Sequence, residues 1–428
     1  MKNLLLVFSV LSASAAFALG PTISGVTYAQ PSGAGSVTIE YTVSESAIVT
    51  IDVLTNGVSL GAANLQDFSE AGVPAETGSA FNRVVAAGAH TVKWKPNKSL
   101  PPMSFKNGEV DVKLTAYSLK APPLYLLADL TSKSNVHYYA SVDELPFGPL
   151  VTNDPYRTTH LLMRRIDAAG IRWRMGAASL EMSTDVQSKS ADTLTHETPH
   201  CVTLTNDYYI GVFEVTQGQH ARVTGARPSG YGDEVRYPER DVMPVERVSV
   251  SSLTGSTKWR LSGSSVKDGS GLDSWRQLTS LTLDLPTEAQ WEFACRAGST
   301  NSFHNGTDDI TNASGLGKLG WYNGTNNVGG RTHPVGEKEP NDWGLYDTHG
   351  NVFETTMSEW TKDVSSDPLV EPTGYVNGTS GSAVRKGGSY DYSATAASAA
   401  TGRQISFSDS VSSNTGYRVW APLPTAIP

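Results

Sequence analysis

Hydrophobic and polar residues alternate along the first quarter of the chain, in short stretches separated by turn residues. Residues 37–43 alternate valine, isoleucine or tyrosine with threonine or glutamate. The same period of two recurs in three further stretches: 49–53, 92–94 and 110–114. This is the period of a strand with one buried face, and Asn56 followed by Gly57 is a hairpin signal. The pattern predicts an all-β immunoglobulin-like sandwich over residues 19–121, with the role of a spacer or adhesion module.

The periodicity becomes less regular after residue 121. Residues 122–157 begin with two prolines and have weak periodicity, so we interpret them as a linker in which residues 124–130 could form one more strand. Residues 158–428 alternate short strand patterns with helix starts and long polar loops, which predicts a mixed α+β domain. One helix start is clear: Thr287 is followed three residues later by Gln290, the signature of a capping box. In that helix Trp291 and Cys295 share one face, so Cys295 is expected to be buried.

The N-terminus has the features of a signal peptide. Lys2 is followed by an apolar run over residues 4–11, and small residues at Ala16 and Ala18 form a cleavage pattern. The run is too short to span a bilayer, and no later apolar run is long enough. We therefore expect residues 1–18 to be removed and the chain to be exported, to a periplasm, the medium or a cell surface, with no transmembrane segment.

Composition and charge narrow the possible partners. The chain has 428 residues, a formal net charge of -9 and a pI near 5.5, which argues against nucleic acid as the main partner. The two cysteines, Cys201 and Cys295, are too few for a disulfide framework or an all-cysteine zinc site. Five asparagines lie in N-glycosylation sequons, relevant in a host that glycosylates: Asn97, Asn305, Asn312, Asn323 and Asn377.

One loop, residues 340–354, concentrates glycine, carboxylate and amide residues. Gly344 and Gly350 indicate sharp turns, and the oxygens of Asp347 and Glu354 can converge on one point. Calcium is held by carboxylates and backbone carbonyls on irregular loops of this kind. The alternative is that these side chains cap turns and helix ends.

A set of ordered blocks carries a family resemblance. The blocks are residues 209–216, 244–249, 285–298, 334–336, 340–354, 387–390, Arg403 and 416–419. In this order they resemble the formylglycine-generating enzyme family, also called sulfatase-modifying factors. The resemblance covers about residues 160–421 and implies a loop-rich α+β fold of the C-type lectin type.

The resemblance implies a copper enzyme, but the cysteines that such an enzyme needs are absent. Family members oxidise a sulfatase cysteine to formylglycine with molecular oxygen and a copper ion held by two cysteines, which follow the block that ends here at Tyr390. Residues 389–398 contain no cysteine, and Tyr392 stands near the position of the first. Tyrosine does not replace the soft thiolate that selects Cu(I). Ser389 matches the active-site serine, although a strand hydroxyl bonded to a neighbouring backbone group explains it equally well.

Iron is not expected either. A second branch of the resemblance takes iron-binding histidines largely from an additional helical domain, and this chain has a β domain in that place. His196 and His200 have a helical spacing, but Pro199 lies between them. The candidate catalytic residues are thus Ser389 and Tyr392, and the candidate ligand-binding residues are these two with Arg403.

The resemblance also implies a structural calcium site in the loop at 340–354. The matching positions are Asp347 and Glu354 through their side chains, and Gly350 and Val352 through their backbone carbonyls. All four have a suitable type in this chain.

Two functions remain as hypotheses. The first is an exported, non-catalytic platform, stabilised by calcium, that binds a peptide, a protein or a glycan. The second is an oxidoreductase of the formylglycine-generating type with altered metal ligation through Tyr392, Ser389 and a histidine. The missing cysteine pair favours the first.

Overall fold

The computed structural model describes most of the chain. The described residues are 20–29, 35–65, 67–72, 79–96, 110–176, 199–256, 266–306, 313–323, 330–360, 369–370, 382–392, 404–407 and 410–426. The predicted signal peptide at 1–18, Arg403 and His196 lie outside these residues.

The N-terminal part consists of two antiparallel sheets. Its strands are β1 (Ile23–Ala29), β2 (Val37–Val43), β3 (Ala47–Thr55), β4 (Val58–Ser59), β5 (Phe68–Glu70), β6 (Arg83–Val85), β7 (Gly88–Trp94) and β8 (Val110–Ser118). The first sheet has the order β1-β2-β7-β5; in the second, β3 pairs with β8 along one edge and with β4 and β6 along the other. The predicted alternation of buried and exposed residues is confirmed in β2 and β7.

Apolar side chains from both N-terminal sheets share one core. Tyr41 and Trp94 from the first sheet lie in the same buried cluster as Ile51 and Val112 from the second. The predicted hairpin turn joins β3 to β4, with positive φ angles of 50° at Asn56 and 78° at Gly57.

A five-stranded antiparallel sheet forms the centre of the second part. It has the order β10-β9-β11-β14-β22, from β9 (Tyr125–Asp129), β10 (Val136–Tyr139), β11 (His160–Ile166), β14 (Tyr208–Gly211) and β22 (Trp420–Pro422). Two of these strands lie within residues 122–157, the segment interpreted as a linker from the sequence. Its weak periodicity is explained by burial on both faces, since Leu126, Leu127 and Ala128 are all buried.

Three smaller sheets surround the central sheet. One comprises β12 (Arg172–Met175), β13 (His200–Thr203) and β18 (Leu369–Val370); the second comprises β15 (Gly320–Trp321) and β16 (His349–Gly350); the third has the order β20-β19-β17-β21, from β17 (Phe353–Glu359), β19 (Ser382–Lys386), β20 (Gln404–Phe407) and β21 (Thr415–Gly416). The second and third position the candidate site.

The helices are short. They are α1 (Pro155–Thr158), α2 (Gln217–Thr224), α3 (Val250–Thr254), α4 (Gly271–Thr279), α5 (Glu288–Arg296) and α6 (Ala313–Leu319). Short helices between many strands make the chain an α+β protein, as predicted. Thr287 caps α5 and Gln290 reaches back to its backbone N–H, which confirms the capping box. In the described ranges, no helix is long and apolar enough to cross a membrane.

Candidate functional site

Two glycine-containing loops lie side by side and position the predicted site residues. The backbone N–H of Gly350 donates to the carbonyl of Gly387 over 2.6 Å, and that of Tyr390 donates to the carbonyl of Asn351 over 2.8 Å. Gly350 has a φ of 84°, and a Cβ there would lie 2.1 Å from the carbonyl oxygen of Trp321. Only glycine permits this approach, so Gly350 allows the Asp347 loop to pack closely against Trp321 of β15.

Ser389 belongs to a network of polar side chains. Its buried hydroxyl donates to Asp391 Oδ1 over 2.7 Å, and the amide of Asn414 donates to both oxygens of the same carboxylate. Arg385 donates to Asn414 Oδ1 and to the hydroxyl of Thr415. Each of these contacts joins a donor to an acceptor, and both oxygens of Asp391 accept hydrogen bonds, so the network fixes the orientation of Asp391.

Tyr392 lies beside an aromatic ring and a guanidinium group. Its ring meets Phe353 edge to face at 4.9 Å between centroids, and the guanidinium of Arg385 lies 4.2 Å from the Phe353 centroid. Tyr390 meets Tyr231 edge to face at 5.8 Å, and the Tyr231 hydroxyl donates to that of Tyr390. We name the surface formed by Tyr231, Arg385, Tyr390, Asp391 and Tyr392 the Tyr392 face.

The two cysteines lie elsewhere in the fold. Cys295 is buried on α5 and its thiol donates to the carbonyl of Thr348. Burial raises the pKa of Cys295 to about 12, so it is a protonated thiol at neutral pH. Cys201 lies on β13, paired with Arg174 of β12. The described side chains around Ser389 offer oxygen and nitrogen atoms as metal ligands and no thiolate. This set of ligands does not fit a Cu(I) ion.

Glu354, a predicted calcium ligand, is held in a buried ion pair. Its side chain is 1% exposed, and its oxygens accept from Arg418 at 2.6–3.1 Å and from the indole N–H of Trp291 at 2.6 Å. Both oxygens are therefore occupied by donors, and a cation at Glu354 would compete with Arg418.

Asp347 has a different environment. Its Oδ2 accepts from the backbone N–H of Gly336 over 2.6 Å, whereas its Oδ1 is buried and accepts nothing from the described residues. Burial raises the pKa of Asp347 to about 6, and the neighbouring Glu354 charge adds to this effect. The predicted backbone ligands, Gly350 and Val352, belong to the same loop and are buried with it.

Glu214 is a buried carboxylate that the sequence did not single out. It follows β14 and accepts from the side-chain amide of Asn351 and the backbone N–H of Val352. Burial raises its pKa well above the ordinary value, and the charges of Asp347 and Glu354 raise it further. Three buried carboxylates thus surround one arginine, Arg418. No group of three acidic, histidine or cysteine side chains in the described part of the chain has the arrangement of a metal site.

The fold and the site now define the class of protein. The family model for the sulfatase-modifying factor enzyme 1-like domain matches residues 173–422, more than half of the chain. The chain belongs to this family, and the resemblance seen in the sequence is confirmed.

Individual relatives match over shorter stretches. The chain is 30% identical over 177 residues to the chaperone protein LppX of Paenibacillus barcinonensis, covering 36% of this chain and 63% of that protein. It is 35% identical over 153 residues to the formylglycine-generating enzyme of Mus musculus, covering 33% of this chain and 40% of the enzyme. The chain thus spans less than two thirds of the length of these curated relatives.

Two solved structures align with the larger part of the chain. Treponema denticola variable protein 1 has a TM-score of 0.46 and 24% identity, over 64% of this chain and 98% of that one. PvdO from Pseudomonas aeruginosa has a TM-score of 0.48 and 19% identity, over 61% of this chain and 95% of that one.

Proposed function

We propose that the sulfatase-modifying-factor-like domain is a non-catalytic platform that binds another molecule at the Tyr392 face. The supporting observation is that Tyr392 stands near the position of the family's first copper-binding cysteine, and that the described side chains of Ser389, Asp391 and Asn414 nearby form a network of oxygen and nitrogen atoms. Such a network provides fixed hydrogen-bonding groups but no soft metal ligand.

A polypeptide is the ligand class to test before a glycan. Tyrosine and arginine are the side chains that most often dominate protein-binding surfaces, and the Tyr392 face contains Arg385, the partly exposed Tyr231 and Tyr392, and the buried Tyr390. The chaperone name of the Paenibacillus relative points to the same ligand class.

We also propose an accessory role for the N-terminal part and an exported location. Two four-stranded sheets that share one core support an immunoglobulin-like sandwich, which would act as a spacer. N-terminal sequencing of the protein from its producing cell tests export: we expect a mature end near Leu19, and an intact Met1 in the cytosolic fraction would contradict it.

Peptide selection tests the binding platform. A phage-displayed peptide library is selected on the purified chain, and the selected peptides are titrated against Tyr392→Ala and the matched control Tyr28→Ala. Tyr28 is a half-exposed tyrosine of β1, far along the chain from the face. We expect Tyr392→Ala to weaken binding at least about tenfold and Tyr28→Ala to leave it unchanged.

A catalytic assay tests the alternative hypothesis, an active oxidoreductase. The chain is incubated with Cu(I), oxygen and a cysteine-containing peptide, and the peptide is analysed by mass spectrometry. We expect the cysteine to remain unconverted to formylglycine. Conversion, or equal peptide binding by Tyr392→Ala and the parent, would overturn the platform.

Calcium at the Asp347 loop remains part of the proposal. The unpaired Oδ1 of Asp347 and the surplus of buried carboxylates over Arg418 support it. Because Glu354 is paired with Arg418, we assign the side-chain ligand to Asp347 and the remaining ligands to the loop carbonyls of Gly350 and Val352.

Elemental analysis and thermal unfolding test this calcium site. We expect about one calcium per chain and a lower melting temperature in the presence of a chelator, an effect absent in Asp347→Asn. A chain that is free of calcium after dialysis against millimolar calcium, with a melting temperature that the chelator does not change, would contradict the site.

A further inference from the structure

A cavity of about 430 Å³ lies where the N-terminal sheets meet the central sheet. One wall is formed by β3 and β8, and the other by β9, β10 and the turn at residues 143–147. Its volume is within the range of small-molecule sites. The cavity is separate from the Tyr392 face, so binding in it is independent of the proposed function.

The alternation of side chains along a strand explains why the wall formed by β3 and β8 is polar. Along β3, Val49 and Ile51 point into the sandwich core, so Thr50 and Asp52 point to the other face. On β8 the partners of these two residues, Thr115 and Lys113, continue that face. The outer face of the sheet therefore carries polar side chains into the cavity.

The two walls are held together on one side of the cavity. Ile48 of β3 is buried in the same cluster as Tyr138 of β10. The backbone N–H of Tyr138 donates to the carbonyl of Asn82 over 2.6 Å. These contacts make the cavity a built feature of the fold rather than a gap between loosely placed parts.

The lining carries more carboxylates than cationic side chains. Asp52, Asp129, Asp143 and Glu144 contribute carboxylates, of which Asp129 already accepts hydrogen bonds from Thr131, Ser132 and Asn135. Lys113 is the one lysine in the described lining and is paired in register with Asp52. Asn82 Oδ1 is buried and receives no hydrogen bond from the described residues. A ligand that satisfies this lining must donate hydrogen bonds and carry positive charge.

Aromatic rings complete the lining. Tyr117, Tyr139 and Phe147 line the same space and offer apolar and cation–π contact. Burial and then the nearby Glu144 charge raise the pKa of Tyr117, which is consistent with negative potential in the cavity. Burial lowers the pKa of His137 to about 4, so this histidine does not offset the carboxylates at neutral pH.

We propose that this cavity binds a small organic cation, a primary or secondary ammonium on a short apolar chain. The ammonium is recognised by Asn82, Asp143 and Glu144, and the apolar chain by the tyrosine rings. A dicarboxylate would meet like charges, and a neutral diol would leave the carboxylates without a counter-charge.

Calorimetric titration of the full chain with 1,4-diaminobutane tests the proposal. Butane-1,4-diol and succinate are the matched neutral and anionic probes. The variant chain combines Asp143→Asn with Glu144→Gln; both residues are exposed, and glutamine keeps an acceptor for the backbone N–H of Ala140. The control is Glu45→Gln, an exposed carboxylate outside the lining.

We expect saturable binding of one diaminobutane per chain, at least about tenfold weaker in the double variant and unchanged in the control. Neither the diol nor succinate should bind. A cavity-filling variant, Thr115→Phe, should also lose diaminobutane binding while keeping its far-ultraviolet circular dichroism. The proposal is overturned by absence of diaminobutane binding, by equal affinity in the double variant, or by saturable binding of succinate.

Discussion

Arg418 connects several buried polar groups with one side chain. It is 1% exposed, and its guanidinium donates to Glu354 and to the backbone carbonyls of Gly211 and Tyr346. It therefore fixes the end of β14, the Asp347 loop and β17 relative to one another. Arginine suits this position because its planar fork bonds a carboxylate through two nitrogens.

We predict that Arg418→Ala strongly destabilises the chain. Removing one partner of a buried pair leaves Glu354 charged and uncompensated, which costs about 3–5 kcal/mol. Arg227, whose pair with Asp241 is exposed, is the control, and Arg227→Ala should cost less than about 1 kcal/mol. Urea denaturation measures both values, and similar losses in the two variants would contradict this role.

The buried His220 makes the free energy of unfolding depend on pH. It is buried on α2 with Nδ1 2.9 Å from the Tyr417 hydroxyl, and burial lowers its pKa from 6.5 to about 4. Below pH 6.5 the unfolded chain takes up a proton that the folded chain does not. The stabilisation is therefore complete above about pH 6.5 and falls by on the order of 3 kcal/mol towards pH 4.

The variant His220→Gln isolates this contribution. Glutamine keeps an acceptor for Tyr417 but does not titrate. Urea denaturation at several pH values should give a shallower loss of stability between pH 6.5 and 4 in the variant. Equal slopes in the parent and the variant would assign the acid sensitivity to other groups.

The sequence identified those site residues that lie within short, recognisable motifs. The side chains of Ser389, Asp347 and Glu354 were identified from the family blocks, and the structure brings their loops together. The partner of Glu354 was not identified, because Arg418 lies 64 positions further along the chain. An arginine inside an apolar, glycine-bounded block is the signal that could have indicated a buried carboxylate partner.

Elements with signals in their own sequence were predictable. The start of α5 and the hairpin between β3 and β4 are each specified by residues that lie within four positions of one another in the sequence. The neighbours of β17 were not predictable, since this strand pairs with β21 in parallel, across about sixty residues. Likewise β10, in which the adjacent Tyr138 and Tyr139 are both buried, lacks the alternation that identifies strands.

The side chain of Thr287 caps α5 and contributes to the stability of this helix. Thr287 accepts from the backbone N–H of Gln290 over 3.1 Å, and α5 supports Trp291 beneath Gly387. We predict that Thr287→Ala costs about 1 kcal/mol, whereas Thr287→Ser, which keeps the hydroxyl, costs little. Thermal unfolding of the two variants measures the difference. An equal loss would mean that the methyl group, not the cap, is responsible.

At the scale of the whole molecule, the N-terminal sheets and the central sheet share a buried contact. Ile48 belongs to β3, yet its side chain lies in the core cluster of Leu126, Tyr138 and Tyr209. The outer face of one N-terminal sheet is thus buried by the next part of the chain. This arrangement predicts that the two parts unfold together.

Calorimetry with core and surface variants tests this coupling. Ile48→Ala should cost about 2–5 kcal/mol and lower the temperature of a single transition. Val58→Ala, at a position 68% exposed on β4, should leave it unchanged. Two separate transitions, with only the smaller one shifted by Ile48→Ala, would show independent folding.

The contact between Asn323 and the Tyr392 face has a consequence for how the protein is produced. Asn323 is exposed, its backbone N–H donates to the carbonyl of Tyr392, and its side chain donates to the carbonyl of Asp391. It is also the acceptor asparagine of a sequon. In an N-glycosylating host, an oligosaccharide on Asn323 would replace this side-chain contact and shield the surface beside it. Protein from bacterial cells, or an Asn323→Gln variant from eukaryotic cells, therefore presents the Tyr392 face unshielded.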